Sequence, residues 1–298
     1  DLKHRKGASV MEKYTTANFE KDFPTDDACL DWLLQARWPE GVVCAICKVV
    51  TSHHRVKDRP CYACDVCLSQ TYPMAGTIFQ DSHLPLRLWF KALGQMAVTR
   101  CGISARQLAR DLGVRPNTAL RMWKQIRSIL TDDNQILLGK VEVDETYIGG
   151  KRPGKRGRGA AGKTIVMGMV ERGGAVIAKV VPDVKARTLL PEIEASVLKD
   201  AVVYTDDLLS YQGVAKMGYV HKTVAHSLGQ YVLAKDIHTN SVEGFWSQLK
   251  RSIDGTYHHV TPGYLQLYVN EYAFRYSHRK DDQPMFWTML AQVVRKAS

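Results

Sequence analysis

Two CxxC pairs, Cys44-Ala-Ile-Cys47 and Cys64-Asp-Val-Cys67, separated by residues 48–63, constrain this chain more than any other feature. A two-residue gap lets both thiolates of a knuckle face one tetrahedral ion, and two knuckles close a Cys₄ set around Zn²⁺. Four thiolates leave no position open for water, so such a site is structural and stabilises a module too small to fold unaided. The competing reading, ordinary buried cysteines or a redox pair, does not account for two matched pairs at this separation. Five of the 7 cysteines lie between Cys44 and Cys67, with Cys61 a spare that is expected to be buried. The start, Asp-Leu-Lys-His-Arg-Lys, has no apolar stretch behind it and is not expected to be a secretory signal; Met11 reads as a natural start. Clustered cysteines without such a signal favour metal over disulfides and a cytoplasmic, nucleoid-associated protein.

The residues around the cluster sort into segments. Residues 1–38 form a helical lead-in, with Asp26-Asp27 as its cap and Cys29, Leu30, Leu33 and Leu34 at helical spacing. The zinc ribbon occupies 39–80. Over 84–131 the pattern turns helical, and 102–123 reads as a helix-turn-helix. Ser104 and Gln107 make a capping-box pattern, Leu108 and Leu112 share a face, and Gly113 supplies the left-handed turn. A second helix starts near Pro116 and is expected to bury Leu120, Trp123 and Ile126. Seven basic residues and one acid, Asp111, lie between Arg100 and Arg127, as a DNA-facing surface requires. Arg106, Arg115, Asn117, Arg121 and Lys124 are the expected DNA contacts. The plainer alternative is a helical hairpin with a solvated basic face.

Charge points the same way. The net charge of +11 attracts polyanions, nucleic acid first among them, and no apolar run is long enough to span a membrane. With 45% apolar and 24% charged residues, the chain has the composition of a globular protein, not of a disordered one.

From 138 to 260 strands and helices alternate. Lys140–Ile148 reads as a strand with Val141, Val143, Glu145 and Tyr147 on one face and Glu142, Asp144 and Thr146 on the other. Residues 164–170 and 175–181 form a hairpin around Arg172-Gly173-Gly174, and a helix follows over about 187–199. A fourth strand, 201–205, ends at Asp206-Asp207; a helix over 208–217 leads to a fifth strand, 219–224. A long helix over 239–252 carries Glu243, Trp246 and Lys250, with Trp246 expected in the core. The order βββαβαβα is that of an RNase H-like mixed sheet, giving an α+β/α/β multidomain chain. In that fold, carboxylates on the first strand, at the end of the fourth and on a later helix converge. Two Mg²⁺ or Mn²⁺ ions need such hard oxygen ligands and keep positions open for phosphate and water. The candidates are Asp144, Asp206 and Glu243. Singly, each has a plain alternative: a solvated strand acid, a cap for the next helix, an exposed partner for Lys250. Jointly, three acids at these stations in a basic chain favour the catalytic reading.

The segment Lys151–Lys163 carries six cations and no acid and is expected to be a hairpin loop that clamps DNA backbone through Lys151, Arg152, Lys155, Arg156 and Arg158. Residues 261–298 close the chain with one or two helices.

At this point the stretches RWPEGVVCAICK, GTIFQDSHLPLRLWF, GISARQLARDLGV, VDETYIGGK, YTDDLLSY, HTNSVEGFWSQLKR and GTYHHV, in this order across residues 30–278, are similar to the IS1595-type, ISXO2-like, Merlin-related transposases of insertion sequences. The resemblance implies Asp144, Asp206 and Glu243 as the catalytic acids, two divalent ions per site, and Lys250, with Arg251 beside it, on transposon-end DNA. It also admits Asn in the third position, which Asn240, on the same helix face as Glu243, would supply. It implies double-stranded DNA as partner, both element ends and target, and at least a dimer to hold two ends. Where relatives carry CPxCG, this chain has Cys44-Ala-Ile-Cys47-Lys48. Two rivals remain: a catalytically inert or domesticated DNA-binding protein of the same build, and a structure-specific nuclease of the same fold.

Overall fold

The computed structural model describes residues 14–149, 162–224 and 238–297. Lys151, Arg152, Lys155, Arg156 and Arg158 of the expected clamp therefore lie outside the described residues. The chain forms two compact units: one of residues up to 100, 105–129 and from 281 onward, the other of residues 101–104 and 130–280.

In the first unit the lead-in is two helices, α1 (Thr16–Asp22) and α2 (Asp26–Arg37), and not one. The expected acidic cap is corrected here. Thr25 is the N-cap of α2 and accepts from Ala28 N at 3.2 Å, while Asp26 and Asp27 fill the first turn, where the helix dipole favours them. Phe19 and Phe23 begin an aromatic cluster that continues through Trp32, Phe90, Phe286 and Trp287. Three short strands follow: β1 (His53–Arg55), β2 (Tyr62–Cys64) and β3 (Gln70–Thr71), antiparallel in that order. Asp27 accepts from Arg55 Nε at 3.0 Å and Asp31 accepts from the Tyr62 hydroxyl, so α2 is tied to this small sheet.

Helix α3 (Leu86–Val98) buries Trp89, Phe90, Leu93 and Met96, and packs with α4 (Ala105–Leu112) and α5 (Pro116–Ile129). Gly113 takes φ +67°, and Val114 N bonds to Ala109 O at 3.0 Å, closing α4 as a left-handed glycine cap does. The buried face of α5 is Ala119, Met122, Trp123 and Ile126. Two expectations need correction. Leu120 is 37% exposed, because the stripe that faces the other two helices runs through 119, 122, 123 and 126. Arg127, counted with the basic surface, is buried with its guanidinium 5.8 Å from the Trp123 ring. The closing helices fall in different units: α10 (Met285–Arg295) packs on α3, and α9 (Pro262–Ser277) joins the larger sheet.

The second unit is a five-stranded sheet of order β6-β5-β4-β7-β8. Its members are β4 (Lys140–Ile148), β5 (Thr164–Glu171), β6 (Val176–Val181), β7 (Val202–Asp206) and β8 (Val220–Val224). The first three strands are antiparallel neighbours, and β7 and β8 add in parallel, with β4 at the centre. That order and polarity, with helices on both faces, is the RNase H-like fold. Helix α6 (Ala186–Ser196) covers one face through Leu189 and Ile193, which pack with Val141 and Val143. Between β7 and β8 the expected single helix is a 3₁₀ turn, Leu209–Tyr211, and a short α7 (Gly213–Lys216). Helices α8 (Asn240–Ser252) and α9 (Pro262–Ser277), joined through a π-helical turn at Ile253–Tyr257, cover the other face. Val242, Phe245, Trp246 and Leu249 of α8 and Leu265 and Val269 of α9 pack there on Val166 and Val170. A sheet covered on both faces explains why β5 reads as a near-continuous apolar run. No helix among the described residues is long and apolar enough to cross a membrane.

Candidate active site and metal centre

The four cysteines meet. Their sulfurs all lie within 4.8 Å of one another, the one group of three or more His, Cys, Asp or Glu among the described residues to do so. Cys44 and Cys67 Sγ are 3.4 Å apart and Cys47 and Cys64 Sγ 3.9 Å. A tetrahedron with Zn–S bonds of about 2.3 Å has edges of about 3.8 Å, so the donor set fits one Zn²⁺. Both knuckles are built alike. Lys48 N bonds to Cys44 O and Leu68 N to Cys64 O, each at 2.9 Å. Lys48 and Leu68 hold φ +62° and +61°, the left-handed conformation that the glycine of CPxCG would adopt without strain. Hydrogen bonds from the Cys47 N–H and the Ser69 hydroxyl pull the Cys44 thiol down to about 5. Its neighbour Cys67 and burial push Cys47 up to about 12. Hydrogen bonds likewise draw Cys64 toward the thiolate while Cys47 resists, which is the condition a bound cation relieves.

Asp144 stands on β4, the central strand, on the face that α8 covers. Trp246 Nε1 donates to its Oδ2 at 3.0 Å. The ring reaches that position because Gly168 of β5 is the cross-strand partner of Asp144 and has no side chain. A Cβ on Gly168 would lie 2.5 Å from Trp246 Cζ2. Gly168→Ala is therefore expected to displace the indole, destabilise the protein by about 1–3 kcal/mol, and shift its tryptophan emission. Unchanged emission and stability in the variant would contradict the placement.

Asp206 ends β7, one strand away, nearly buried, and accepts from Leu208 N at 3.0 Å. Glu243 lies in the first turn of α8 and accepts from the Thr239 hydroxyl at 3.0 Å. Each acid thus has one oxygen oriented by a neighbouring donor, as outer partners orient metal-ligating carboxylates. Burial, with the charges of Asp206 and Glu243 adding to it, pushes Asp144 up to about 6, although the Glu145 backbone and Trp246 pull the other way. Hard oxygen donors whose charges bear on one another fit a divalent cation. Their oxygens do not close to the mutual 4.8 Å that the cysteine sulfurs reach. Asn240 sits exposed at the start of α8, its backbone N–H 3.4 Å from His238 Nδ1.

Other residues around these acids were not singled out by the sequence. Glu145, on the opposite face, accepts from the buried Tyr211 hydroxyl at 3.0 Å. Glu142, two residues before Asp144, is completely buried and bonds to Arg172 Nε at 2.6 Å. The only signal for Glu142 is the alternation that puts it on the Asp144 face, and Arg172 stands in the sequence as a turn residue of the hairpin.

Of the expected DNA contacts, Arg106, Arg115, Asn117 and Arg121 are exposed on α4, the turn and α5, and Lys124 is half-buried. Lys250 and Arg251 are exposed in the last turn of α8.

Two families match the chain. Residues 24–70 match the transposase zinc-ribbon domain, and residues 136–277 match the ISXO2-like transposase domain. An "Uncharacterized protein in transposable element ISH50" of Halobacterium salinarum is 29% identical over 255 residues, 78% of this chain and 84% of that protein. An "Uncharacterized transposase-like protein" of Haemophilus influenzae is 30% identical over 98 residues, 33% of this chain and 77% of its own length. Among solved structures, the Mos1 strand transfer complex aligns at 13% identity and a TM-score of 0.31, covering 70% of this chain and 75% of that one, too distant to argue from. The strand order, the ribbon, the two family matches and the two relatives agree: the chain belongs to the IS1595 family of ISXO2-like transposases.

Proposed function

We propose that this chain cleaves the ends of a DNA element and joins the exposed 3′-hydroxyls to target DNA, with Asp144, Asp206 and Glu243 as its catalytic acids. The observation that carries the reading is that acids far apart in sequence stand on neighbouring elements: Asp144 on β4, Asp206 at the end of the adjacent β7, and Glu243 on α8, which packs on β4. Two divalent cations held there, Mg²⁺ or Mn²⁺, would activate the attacking water or 3′-hydroxyl and stabilise the leaving oxygen. The chain's own contribution is to orient the ligand oxygens. Trp246, the Leu208 backbone and Thr239 each fix one carboxylate. A joining step by in-line displacement needs no covalent link to the protein.

The ribbon would hold Zn²⁺ through Cys44, Cys47, Cys64 and Cys67. Arg106, Arg115, Asn117, Arg121 and Lys124 would read element ends as a helix-turn-helix does, with Lys250 and Arg251 on DNA near the acids. Lys151, Arg152, Lys155, Arg156 and Arg158 would add backbone contacts. Holding two ends requires at least a dimer on double-stranded DNA. A protein that acts on element DNA in this way would work in the cytoplasm, at the nucleoid.

Hydrolysis of a labelled end duplex in Mg²⁺ and in Mn²⁺ tests the assignment of the third acid. Glu243→Gln is expected to lower the single-turnover rate by roughly 10³-fold, with Asn240→Ala within about tenfold of wild type. The reverse order would move the third position to Asn240.

A further inference from the structure

We infer that Glu142 is a positioning residue for the third acid: it caps α8 from the neighbouring strand and so sets Glu243 against the strand that bears Asp144. This rests on the three-acid reading above. Helix α8 begins without the usual local cap. Its N-cap, Thr239, makes no side-chain capping bond, and its hydroxyl goes to Glu243 instead. The first backbone N–H groups of a helix still need acceptors. Here they find them on β4. Glu142 Oε2 accepts from Ser241 N at 2.7 Å and Val242 N at 3.0 Å, and Oε1 accepts from the Ser241 hydroxyl at 3.1 Å. A carboxylate in that place also meets the positive end of the helix dipole.

The carboxylate is itself held. Arg172 donates from Nε to Glu142 Oε1 at 2.6 Å and from its second terminal nitrogen to His238 O at 2.7 Å. Its guanidinium lies 4.1 Å from the Tyr204 ring on β7. His238 Nδ1 stands 3.2 Å from Glu142 Oε1. A fully buried charge with this many partners is costly to place and stiff once placed. Glu142 and Asp144 are two apart on one strand, hence on one face, and Glu243 follows Val242 directly in α8. The strand thus fixes both the first acid and the start of the helix that carries the third. A lost cap on an ordinary helix would cost stability alone. At this helix it also changes where the Glu243 carboxylate sits.

Mn²⁺ binding to the full, zinc-loaded chain, titrated by calorimetry, separates the two roles. The near-isosteric Glu142→Gln is expected to weaken Mn²⁺ binding tenfold or more. In a Glu243→Gln background the same change is expected to add less than twofold, because the residue it positions is already gone. Glu142→Asp, which keeps the charge beside Arg172 but withdraws it by a methylene, carries the same comparison should the Gln variant not fold. Wild-type affinity in a less stable Glu142 variant would reduce the residue to a structural cap and overturn the inference. Independent, multiplying losses in the double variant would also overturn it. Wild-type Mn²⁺ binding that survives Asp144→Asn would instead remove the three-acid reading, and this inference with it.

Discussion

Asp144→Asn is expected to make the protein inactive and, without metal, more stable. Joining and end hydrolysis should fall by roughly 10³-fold or more, because Asn offers a divalent ion a neutral ligand where the site supplies a carboxylate. The stability change has the opposite sign. Burial raises Asp144 from 3.8 to about 6. A carboxyl raised on folding contributes stability that is fully present below its unfolded value and is lost as pH rises through the folded one. Above pH 6 the folded metal-free protein therefore carries an unfavourable charge that Asn removes. Allowing for the partial exposure of the side chain, the gain is about 2 kcal/mol at pH 8 in chelator, closing by pH 4. The Trp246 bond survives in the variant, since the Asn amide oxygen still accepts. Denaturant midpoints of both proteins at pH 4 and pH 8 measure the difference. A variant less stable than wild type at pH 8 would show that the carboxylate serves packing and not a metal.

Stripping zinc is expected to unfold residues 42–71. The ribbon has almost no other source of stability. Its strands are 3, 3 and 2 residues long, and Val43, Ile46, Val49, Val50, Val66 and Leu68 are exposed, not buried. What it buries is little beyond Val42, Cys44, Cys61, Tyr62, Ala63 and Cys64. Structural Zn²⁺ supplies about 10–16 kcal/mol of apparent binding free energy to such modules, far more than that core. Elemental analysis should find one zinc per chain, and Cys64→Ser should lose it. Cys47, pushed up to about 12, must give up its proton on loading, so zinc is expected to be released as pH falls. Ribbon amide resonances that remain dispersed after complete zinc removal would contradict this.

Much of this architecture was legible in the sequence because it rests on local periodicity and spacing. The two knuckles, the Gly113 turn and the alternation of β4 each follow from a few consecutive residues. The order of elements gave the mixed sheet. What escaped depends on which elements become neighbours. Nothing local says that Gly168 faces Asp144 across the β4–β5 ladder, or that Trp246, expected only to fill the core, also binds the carboxylate. Glu142 looked like any charged residue in an alternating strand, because its helix cap lies about a hundred residues further along. Leu120 and Arg127 exchanged places for a related reason: α5 packs against two helices, so its buried stripe cannot be fixed from its own sequence. The helix expected over 208–217 shortened to two turns, which the run of mixed residues there did not announce.

Strand transfer tests the central claim most directly. Duplexes from the DNA flanking the gene would be incubated with a plasmid target, protein and Mn²⁺, alongside Asp144→Asn, Asp206→Asn and Glu243→Gln. The account predicts plasmid joined to the 3′ ends of the duplex with wild type and none with any of the three variants. Tight, specific binding of the ends with no cleavage or joining in Mn²⁺ or Mg²⁺ would contradict it and leave an inert DNA-binding protein on a transposase fold.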